Sequence, residues 1–195
     1  MAKQTAKEKI LESTLEVMKG RGYQAVTVDE IISHAGVSKG SFYHAFKSKE
    51  DLAIAAMEMY GARGWEIVAN GDYRHIEDPV KKARAFARYI EEQSGELWQH
   101  GCLLGAIAVE VAESNPKLIK TIDKLFNNLE DGAEKVFTPA LKAKKIRNVT
   151  GKELGRHFLS VIEGGIVISK SHMTPEYLNE GIRHFNKYLD YLLES

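Results

Sequence analysis

The sequence predicts an all-α protein, and three observations support that fold class. Apolar side chains recur at intervals of three and four residues along almost the whole chain, which is the spacing of one face of an α-helix. No stretch alternates apolar and polar residues over enough length to indicate a β-strand. The length of 195 residues and the hydrophobic content of 44% are enough for a packed core.

The first two predicted helices are marked by their end signals. Apolar residues spaced over 10–18 predict the first helix, and two glycines within the next four residues would end it. Thr27 then stands at the N-cap and Glu30 at the N3 position of a capping box, so a second helix begins at Thr27. Gly36 would end this helix, because glycine readily takes the left-handed conformation that follows helix C-termini.

A third helix follows after a tight turn. Ser38 repeats the N-cap signal, so this helix is expected over about residues 39–45. Two short helices joined by a turn that contains glycine form a helix-turn-helix, whose second helix places its N-terminal residues in the major groove of DNA. Val37, Phe42 and Phe46 would anchor this second helix, and the polar residues around them would face outward. The sequence therefore predicts a DNA-binding surface.

A longer stretch around this motif has a family resemblance. "TVDEIISHAGVSKGSFYHAFKSKEDL", residues 27–52, resembles the signature of the TetR family of bacterial one-component regulators. The resemblance implies an N-terminal three-helix helix-turn-helix DNA-binding domain (1–48, motif about 27–46) joined to a C-terminal helical ligand-binding and dimerisation domain (49–195). It also implies that Thr27 and Lys49 hold phosphates. The residues expected at the DNA are Thr27, Ser38, Lys39, Gly40, Ser41, Tyr43, His44 and Lys49. The alternative for this face is an ordinary solvated helix surface.

The remaining helices are predicted from apolar periodicity and from proline and cap positions. A serine N-cap opens a fourth helix, and a polar loop is expected over 70–79. Pro79 opens a helix near whose end Trp98 lies, and a largely buried helix is expected over about 102–113. Pro116 opens another helix, and two final helices close the chain.

A regulator that reads two-fold symmetric DNA requires a dimer interface. The two final helices are the candidates, because Gly164 and Gly165 permit close approach and the last helix has a coiled-coil-like stripe. The expected interface residues are Phe158, Ile162, Ile166, Ile182, Phe185 and Leu189. The alternative is that these stripes form only the core of the protomer, since periodicity alone does not distinguish the two.

The family resemblance also implies a small-molecule pocket in the helices between the DNA reader and the dimer interface. An inducer that prefers a conformation with the wrong spacing of recognition helices would lower DNA affinity by its differential affinity. Adaptable and aromatic side chains are the candidates for the pocket lining. They are Met57, Tyr60, Trp65, Phe86, Trp98 and Phe126. The alternative for each of them is ordinary core packing.

The one cysteine is a candidate sensor. "HGCLLG" places Cys102 at the first turn of a helix, where the positive end of the helix dipole favours the thiolate. The run also resembles the corresponding helix start in a branch of the TetR family whose members respond to electrophiles or oxidants. Lys170 is a candidate partner of the thiol. The alternative is an inert cysteine in the core.

The expected function is repression of transcription by a homodimer that binds a palindromic operator and is released by a small-molecule or electrophile inducer. The alternative is an activator of the same family. An enzyme is not expected, because His100 and Cys102 stand two residues apart at a helix start and would point in different directions. A helical interaction module without DNA binding would leave the outward basic and aromatic residues unexplained.

Composition adds expectations about partners and location. Lys plus Arg and Asp plus Glu number 27 each, so a nucleic-acid surface must be a local patch. One cysteine excludes an internal disulfide and fits a reducing cytoplasm. The charged start has no apolar leader, no apolar run is long enough for a membrane span, and the seven histidines lack the spacing of a metal site. We expect no cofactor, no metal, no membrane partner, and a cytoplasmic location.

Overall fold

Helices make up all the regular secondary structure in the computed structural model, which describes residues 4–98 and 100–194. The prediction of an all-α fold is confirmed. The charged start of the sequence lies partly outside the described residues. The ten α-helices of the described ranges are α1 (Ala6–Arg21), α2 (Val28–Ala35), α3 (Lys39–Ala45), α4 (Lys49–Ala69), α5 (Pro79–Glu92), α6 (Ser94–Trp98), α7 (Leu103–Val111), α8 (Pro116–Ala143), α9 (Gly151–His172) and α10 (Glu176–Glu194). Among these helices, none combines the length and the apolar character that crossing a bilayer requires.

The local end signals of the first helices work as predicted. Thr27 accepts a hydrogen bond from the Glu30 backbone N–H, and the Glu30 carboxylate accepts one from the Thr27 N–H, which completes the capping box of α2. Gly36 ends α2 in the left-handed region with φ +61°. α1 continues to Arg21, and Gly22 with φ +80° is its C-cap.

The chain groups into two compact units. The first contains the residues up to Arg63 together with Cys102–Leu125, and the second contains Gly64–Gly101 and the residues from Phe126 onward. The boundary predicted at residue 48 falls inside the first unit, because Leu52, Ala53, Ala56 and Met57 of α4 are buried. That boundary stays a prediction about function, whereas the two units describe packing.

The two units have cores of different composition. The core of the first unit is mainly aliphatic and includes Ile10, Met18, Val26, Ile31, Leu52, Ile107 and Leu118, together with the rings of Phe42 and Phe46. In the second unit, Phe86, Phe137, Phe158 and Phe185 form an aromatic cluster whose ring centroids lie 4.3–6.2 Å apart. This cluster joins α5, α8, α9 and α10.

The middle of the chain differs from the sequence prediction in two places. The helix that begins at Pro79 ends at Glu92, and Trp98 lies in the separate short helix α6. At the break between α5 and α6, the hydroxyl of buried Ser94 donates a hydrogen bond to Asn179 Oδ1 of α10 at 3.1 Å. The predicted loop at 70–79 contains a 3₁₀ helix, Asp72–His75, whose Tyr73 is buried against the Phe86 ring.

Helix α7 is shorter and less buried than predicted. It covers Leu103–Val111 rather than about 102–113, and Cys102 is its N-cap. One side of α7 is in the core, but Val109 is among the exposed large hydrophobic residues. The apolar run overstates burial because helix periodicity within so apolar a segment does not show which side faces solvent.

Candidate DNA-binding surface and candidate sensor residues

The turn between α2 and α3 is short and held by side-chain hydrogen bonds. Gly36 in the left-handed conformation reverses the chain, and only Val37 and Ser38 precede α3. The Ser38 hydroxyl accepts from the Ser41 backbone N–H at 3.1 Å and lies 2.9 Å from the Ser41 hydroxyl. This capping fixes the direction in which α3 leaves the turn.

The inner side of α3 is anchored by aromatic residues. Phe42 and Phe46 are buried, as expected from the sequence, and their ring centroids are 6.0 Å apart. The Tyr43 ring packs edge-on against Phe42 with centroids 5.1 Å apart, although 56% of Tyr43 remains exposed. The anchoring of α3 therefore leaves Tyr43 and the neighbouring His44 at the surface.

The outward side of α3 is polar and sterically open. Lys39, Gly40 and His44 are exposed, and Ser41 is half-buried. A Cβ atom added to Gly40 would meet only Ser38 Oγ at 3.8 Å, so no packing within the chain requires glycine there. The Lys39 ammonium donates to Asp29 Oδ1 at 3.0 Å, and this hydrogen bond raises the pKa of Lys39. Lys39 is therefore cationic and forms an ion pair with Asp29 of α2.

The N-terminus of α2 carries an unusually acidic carboxyl group. The backbone hydrogen bond from Thr27, followed by the side-chain hydrogen bonds from Arg21 and Thr27, lowers the pKa of Glu30 to about 2. Arg21 Nη1 donates to Glu30 Oε1 at 2.8 Å. Thr27 itself is exposed, with its hydroxyl engaged in the capping box.

Lys49, which the resemblance assigns to a phosphate, is held by the protein itself. Its ammonium donates to the Gln24 carbonyl oxygen at 3.3 Å and lies 4.4 Å from the centroid of the Tyr23 ring. Burial lowers the pKa of Lys49, and the nearby carboxylates of Glu110 and Glu30 oppose that shift. The loop between α1 and α2 therefore positions the Lys49 ammonium in the protein without DNA.

The predicted pocket residues fall in both units and have different environments. In the first unit Met57 is in the core and Tyr60 is half-buried. In the second unit Phe86 belongs to the aromatic cluster and the 46% exposed Trp65 packs its ring over Gly132. Trp98 and Phe126 are half-buried and Lys170 is exposed. Core packing explains Met57 and Phe86 directly, and their role as ligand contacts stays a prediction.

Cys102 combines a helix-cap geometry with low exposure. Its sulfur accepts the backbone N–H of Gly105 at 3.5 Å, which makes the thiol group the N-cap of α7. Only 8% of the residue is exposed. The cap contact is the arrangement that stabilises a thiolate, whereas the burial limits access by a reagent.

The six residues predicted for the dimer interface are core residues of the second unit. Phe158, Ile162, Ile166, Ile182, Phe185 and Leu189 are each at most 4% exposed. They pack α9 and α10 against their neighbours within the chain, so they are not available to a second copy and the assignment is corrected. The same holds for Gly165, whose Cβ position lies 2.8 Å from Leu178 Cα, whereas Gly164 faces open space.

Two polar features were not predicted from the sequence. In the first unit, the Glu110 carboxylate binds backbone N–H groups of the loop after α1. No local signal reveals this contact, because its partners lie 86 and 87 residues away. In the second unit, a polar groove of about 490 Å³ lies between α5, α6 and α10. Buried Asn186, which donates to Glu91 Oε2 at 2.6 Å, lines it and interrupts the apolar stripe of α10, which was the available signal.

The fold and the exposed recognition helix define a helix-turn-helix regulator with a larger helical region. Residues 10–56 match the family model described as bacterial regulatory proteins, tetR family. Residues 79–184 match the model of the LmrA/YxaF-like transcriptional regulator C-terminal domain. The chain belongs to the TetR family, whose members are DNA-binding transcription regulators and not enzymes.

Individual regulators are similar to this protein over most of its sequence. An uncharacterised HTH-type regulator, YxaF of Bacillus subtilis, is 30% identical over 166 residues, which are 84% of each chain. The HTH-type transcriptional repressor DhaR of Mycobacterium sp. is 25% identical over 92% of this chain and 90% of its own. The crystal structure of a regulatory protein TetR from Rhodobacter sphaeroides superposes with a TM-score of 0.80 at 25% identity, covering 94% of this chain and 98% of that one.

Proposed function

We propose that this regulator binds a palindromic operator as a homodimer, represses transcription there, and releases the DNA when an inducer binds. The observation that carries the proposal is the α2–turn–α3 unit, whose second helix is anchored by Phe42 and Phe46 and leaves Lys39, Tyr43 and His44 outward. A named repressor, DhaR, among the relatives favours repression. The cytoplasm is the compartment in which such a protein would meet DNA.

The predicted DNA residues would have different roles in this complex. Tyr43 and His44 at the surface of α3 would contact bases or backbone, and Lys39 would exchange Asp29 for a phosphate. The absence of a side chain at Gly40 leaves space for the DNA backbone on the open side of α3. Ser38 and Ser41 cap the helix, so their contribution would come mainly through its position. Thr27 would offer its hydroxyl, and Lys49 its ammonium, to phosphates.

The proposed dimer interface lies on the exposed side of α9 and α10. Val167, Ile168, Tyr188 and Tyr191 are exposed hydrophobic or aromatic residues on these helices, and Gly164 faces open space beside them. The His157 and Tyr188 rings meet edge-on with centroids 5.8 Å apart, so the two helices share one continuous surface. Exposed aromatic residues around a small residue suit the close approach of two symmetry-related helix pairs.

Induction would act through a small molecule or through Cys102. Because Cys102 is both the N-cap of α7 and nearly buried, an adduct on its sulfur would remove the cap contact and add volume to a packed interior. Overpacking of this kind typically costs about 1–3 kcal/mol. If the strain falls on the DNA-binding conformation, DNA affinity falls by about 5- to 150-fold.

The decisive experiment for DNA binding is an electrophoretic mobility shift with genomic fragments, followed by footprinting of the fragment that binds. We expect protection of a two-fold symmetric site and a complex with two protein chains. Binding with the same affinity to every fragment at physiological salt would contradict a specific operator. A transcription assay on the bound promoter then separates repression from activation.

The role of Cys102 is tested by titrating operator complexes with N-ethylmaleimide and with hypochlorite, for the wild type and for Cys102→Ser. Release of the wild type alone would support covalent sensing. Equal release of both proteins, or an unreactive thiol in the native wild type, would show that Cys102 is a core residue and would leave non-covalent induction as the mechanism.

A further inference from the structure

The loop between α1 and α2 is bound by one carboxylate of α7, within the first unit. Glu110, in the last turn of α7, accepts the backbone N–H of Tyr23 through Oε1 at 3.2 Å and that of Gln24 through Oε2 at 2.8 Å. The Gln24 side chain returns a hydrogen bond from Nε2 to the Glu110 carbonyl oxygen at 2.8 Å. Three hydrogen bonds therefore join one residue of α7 to two consecutive residues of the loop.

The loop is shaped for this carboxylate. Gly22 precedes the two donors and has φ +80°, a conformation that side chains disfavour. A Cβ atom on Gly22 would overlap the Glu110 carboxylate. The turn at Gly22 leaves room for the Glu110 carboxylate and brings the N–H groups of Tyr23 and Gln24 to its two oxygens.

The same two loop residues hold Lys49 at the N-terminus of α4. The Gln24 carbonyl oxygen accepts from Lys49 Nζ, and the Tyr23 ring lies under the ammonium. A free lysine side chain has four rotatable bonds and loses substantial entropy when it is fixed on a phosphate. The loop removes part of that loss in advance, because it already restricts where the ammonium can lie.

We propose that Glu110 is a positioning residue for DNA binding, which acts through the 22–24 loop to place the Lys49 ammonium for a phosphate contact. The proposal rests on the proposed DNA-binding function and names a residue of α7 that itself touches no DNA. Cys102 is the N-cap of the same short helix. A displacement of α7 would consequently change the support of Lys49, which gives the helix a direct route to DNA affinity.

The test compares isosteric variants in operator binding at several salt concentrations. Glu110→Gln keeps the length of the side chain but replaces one acceptor oxygen by an amide NH₂ that opposes a backbone donor. We expect operator affinity to fall roughly 2- to 30-fold. The slope of log affinity against log salt should fall in magnitude by about 1, as it does when one phosphate contact is lost. Glu113→Gln is the matched control, because it makes the same change of charge at an exposed glutamate three residues further on, beyond the end of α7.

A double-mutant cycle with Lys49→Ala identifies the route. If Glu110 acts through Lys49, Glu110→Gln has little further effect on affinity or salt slope in the Lys49→Ala background. Equal effects of Glu110→Gln in both backgrounds would overturn the proposal, since a general loss of stability would act in both. Glu110→Asp keeps the charge but is too short for both N–H groups, so we expect it to behave like Glu110→Gln.

The outcomes distinguish a failure of the proposed DNA-binding function from a failure of the positioning role of Glu110. If neither the wild type nor Glu113→Gln binds any DNA fragment specifically, the proposed function fails. If both bind an operator and Glu110→Gln or Glu110→Asp binds it with wild-type affinity and salt slope, the proposed function stands and the positioning role of Glu110 is wrong. Thermal unfolding of each variant, followed by circular dichroism, confirms that the compared proteins are folded.

Discussion

Two exposed faces of the protein differ in the side chains that they leave to solvent. The face of α3 carries Lys39, Tyr43 and His44 on a helix of seven residues that is anchored by two buried rings. The face of α9 and α10 carries Gly164 and several large apolar or aromatic residues on helices of 22 and 19 residues. A polar, cationic face suits the DNA backbone, whereas a broad aromatic face suits a second protein surface.

Each of the two faces pairs an exposed aromatic residue with a buried one. Tyr43 is exposed and its ring packs against buried Phe42, and Tyr188 is exposed and its ring lies beside buried Phe185. In both faces an exposed aromatic ring contacts a buried one. Substitutions of the inward and outward members should therefore have separable effects, and the following predictions use that separation.

The largest expected effect is on folding, from the inward member of the α10 pair. Phe185→Ala removes a ring that contacts Phe137 and stacks on Phe158 at 4.3 Å, so we expect the free energy of unfolding to fall by about 3–5 kcal/mol. Tyr188→Ala, on the outward side, should change protomer stability by less than about 1 kcal/mol. Urea denaturation measures both. A small effect of Phe185→Ala would mean that the aromatic cluster is not the core of the second unit.

The next largest effect is expected on dimerisation, from a substitution at Gly164, where a side chain meets open space. Gly164→Glu should leave the folded protomer as stable or slightly more stable, because glycine within a helix costs about 0.5–1 kcal/mol relative to alanine. A charge buried without a partner at the interface should weaken the dimer by at least about 100-fold. Sedimentation equilibrium measures this change. Gly95→Glu is the control, since Gly95 is also a helical glycine with open space around it but lies in α6. Equal dimer dissociation constants for the two variants would show that the dimer interface does not include Gly164.

A comparable or smaller effect is expected at the recognition helix. Tyr43→Ala and His44→Ala should each cost about 1–3 kcal/mol of specific operator affinity if the side chains contact bases. Fluorescence anisotropy with labelled operator and with scrambled DNA separates specific from general loss. His75→Ala, an exposed histidine of the 3₁₀ helix Asp72–His75, serves as the control. Unchanged operator affinity in both α3 variants would reject the base contacts and leave α3 as an ordinary surface helix.

The success of the sequence prediction differs between these regions for a physical reason. The helix-turn-helix depends on local signals, namely the caps at Thr27 and Ser38 and the left-handed Gly36, and each partner lies within a few residues. The long helices of the second unit were also predicted, but periodicity could not show whether α9 and α10 bury their stripes against each other or against a second copy. Glu110 was missed because its contacts are tertiary, and no feature of the apolar segment around it points to the loop after α1.

A smaller effect should follow from releasing Lys39. Asp29→Asn removes the partner of an exposed ion pair, and such pairs contribute about 0.2–1 kcal/mol. Lys39 would then be free for phosphate, so we expect affinity for operator and scrambled DNA to rise by similar small factors, about 2- to 5-fold. Filter binding at two salt concentrations measures the change. A loss of affinity would indicate instead that Asp29 holds Lys39 in its binding position.

The smallest effect is a pH dependence that compares the caps of the two units. In the first unit, hydrogen bonds from Thr27 and Arg21 lower the pKa of Glu30 to about 2; in the second, hydrogen bonds from Thr150 lower the pKa of Glu153 without an arginine donor. A lowered pKa means that each carboxylate stabilises the folded state above its unfolded value of about 4.5 and loses this contribution as pH falls through the folded value. Unfolding experiments from pH 6 to pH 2 should therefore show that the stability difference between wild type and Glu30→Gln shrinks down to about pH 2. The difference between wild type and Glu153→Gln should also shrink as pH falls below about 4.5, because hydrogen bonds from Thr150 lower the pKa of that carboxylate as well. A stability difference that stays constant over this pH range for either variant would show that the cap carboxylate has the same pKa in the folded and the unfolded protein.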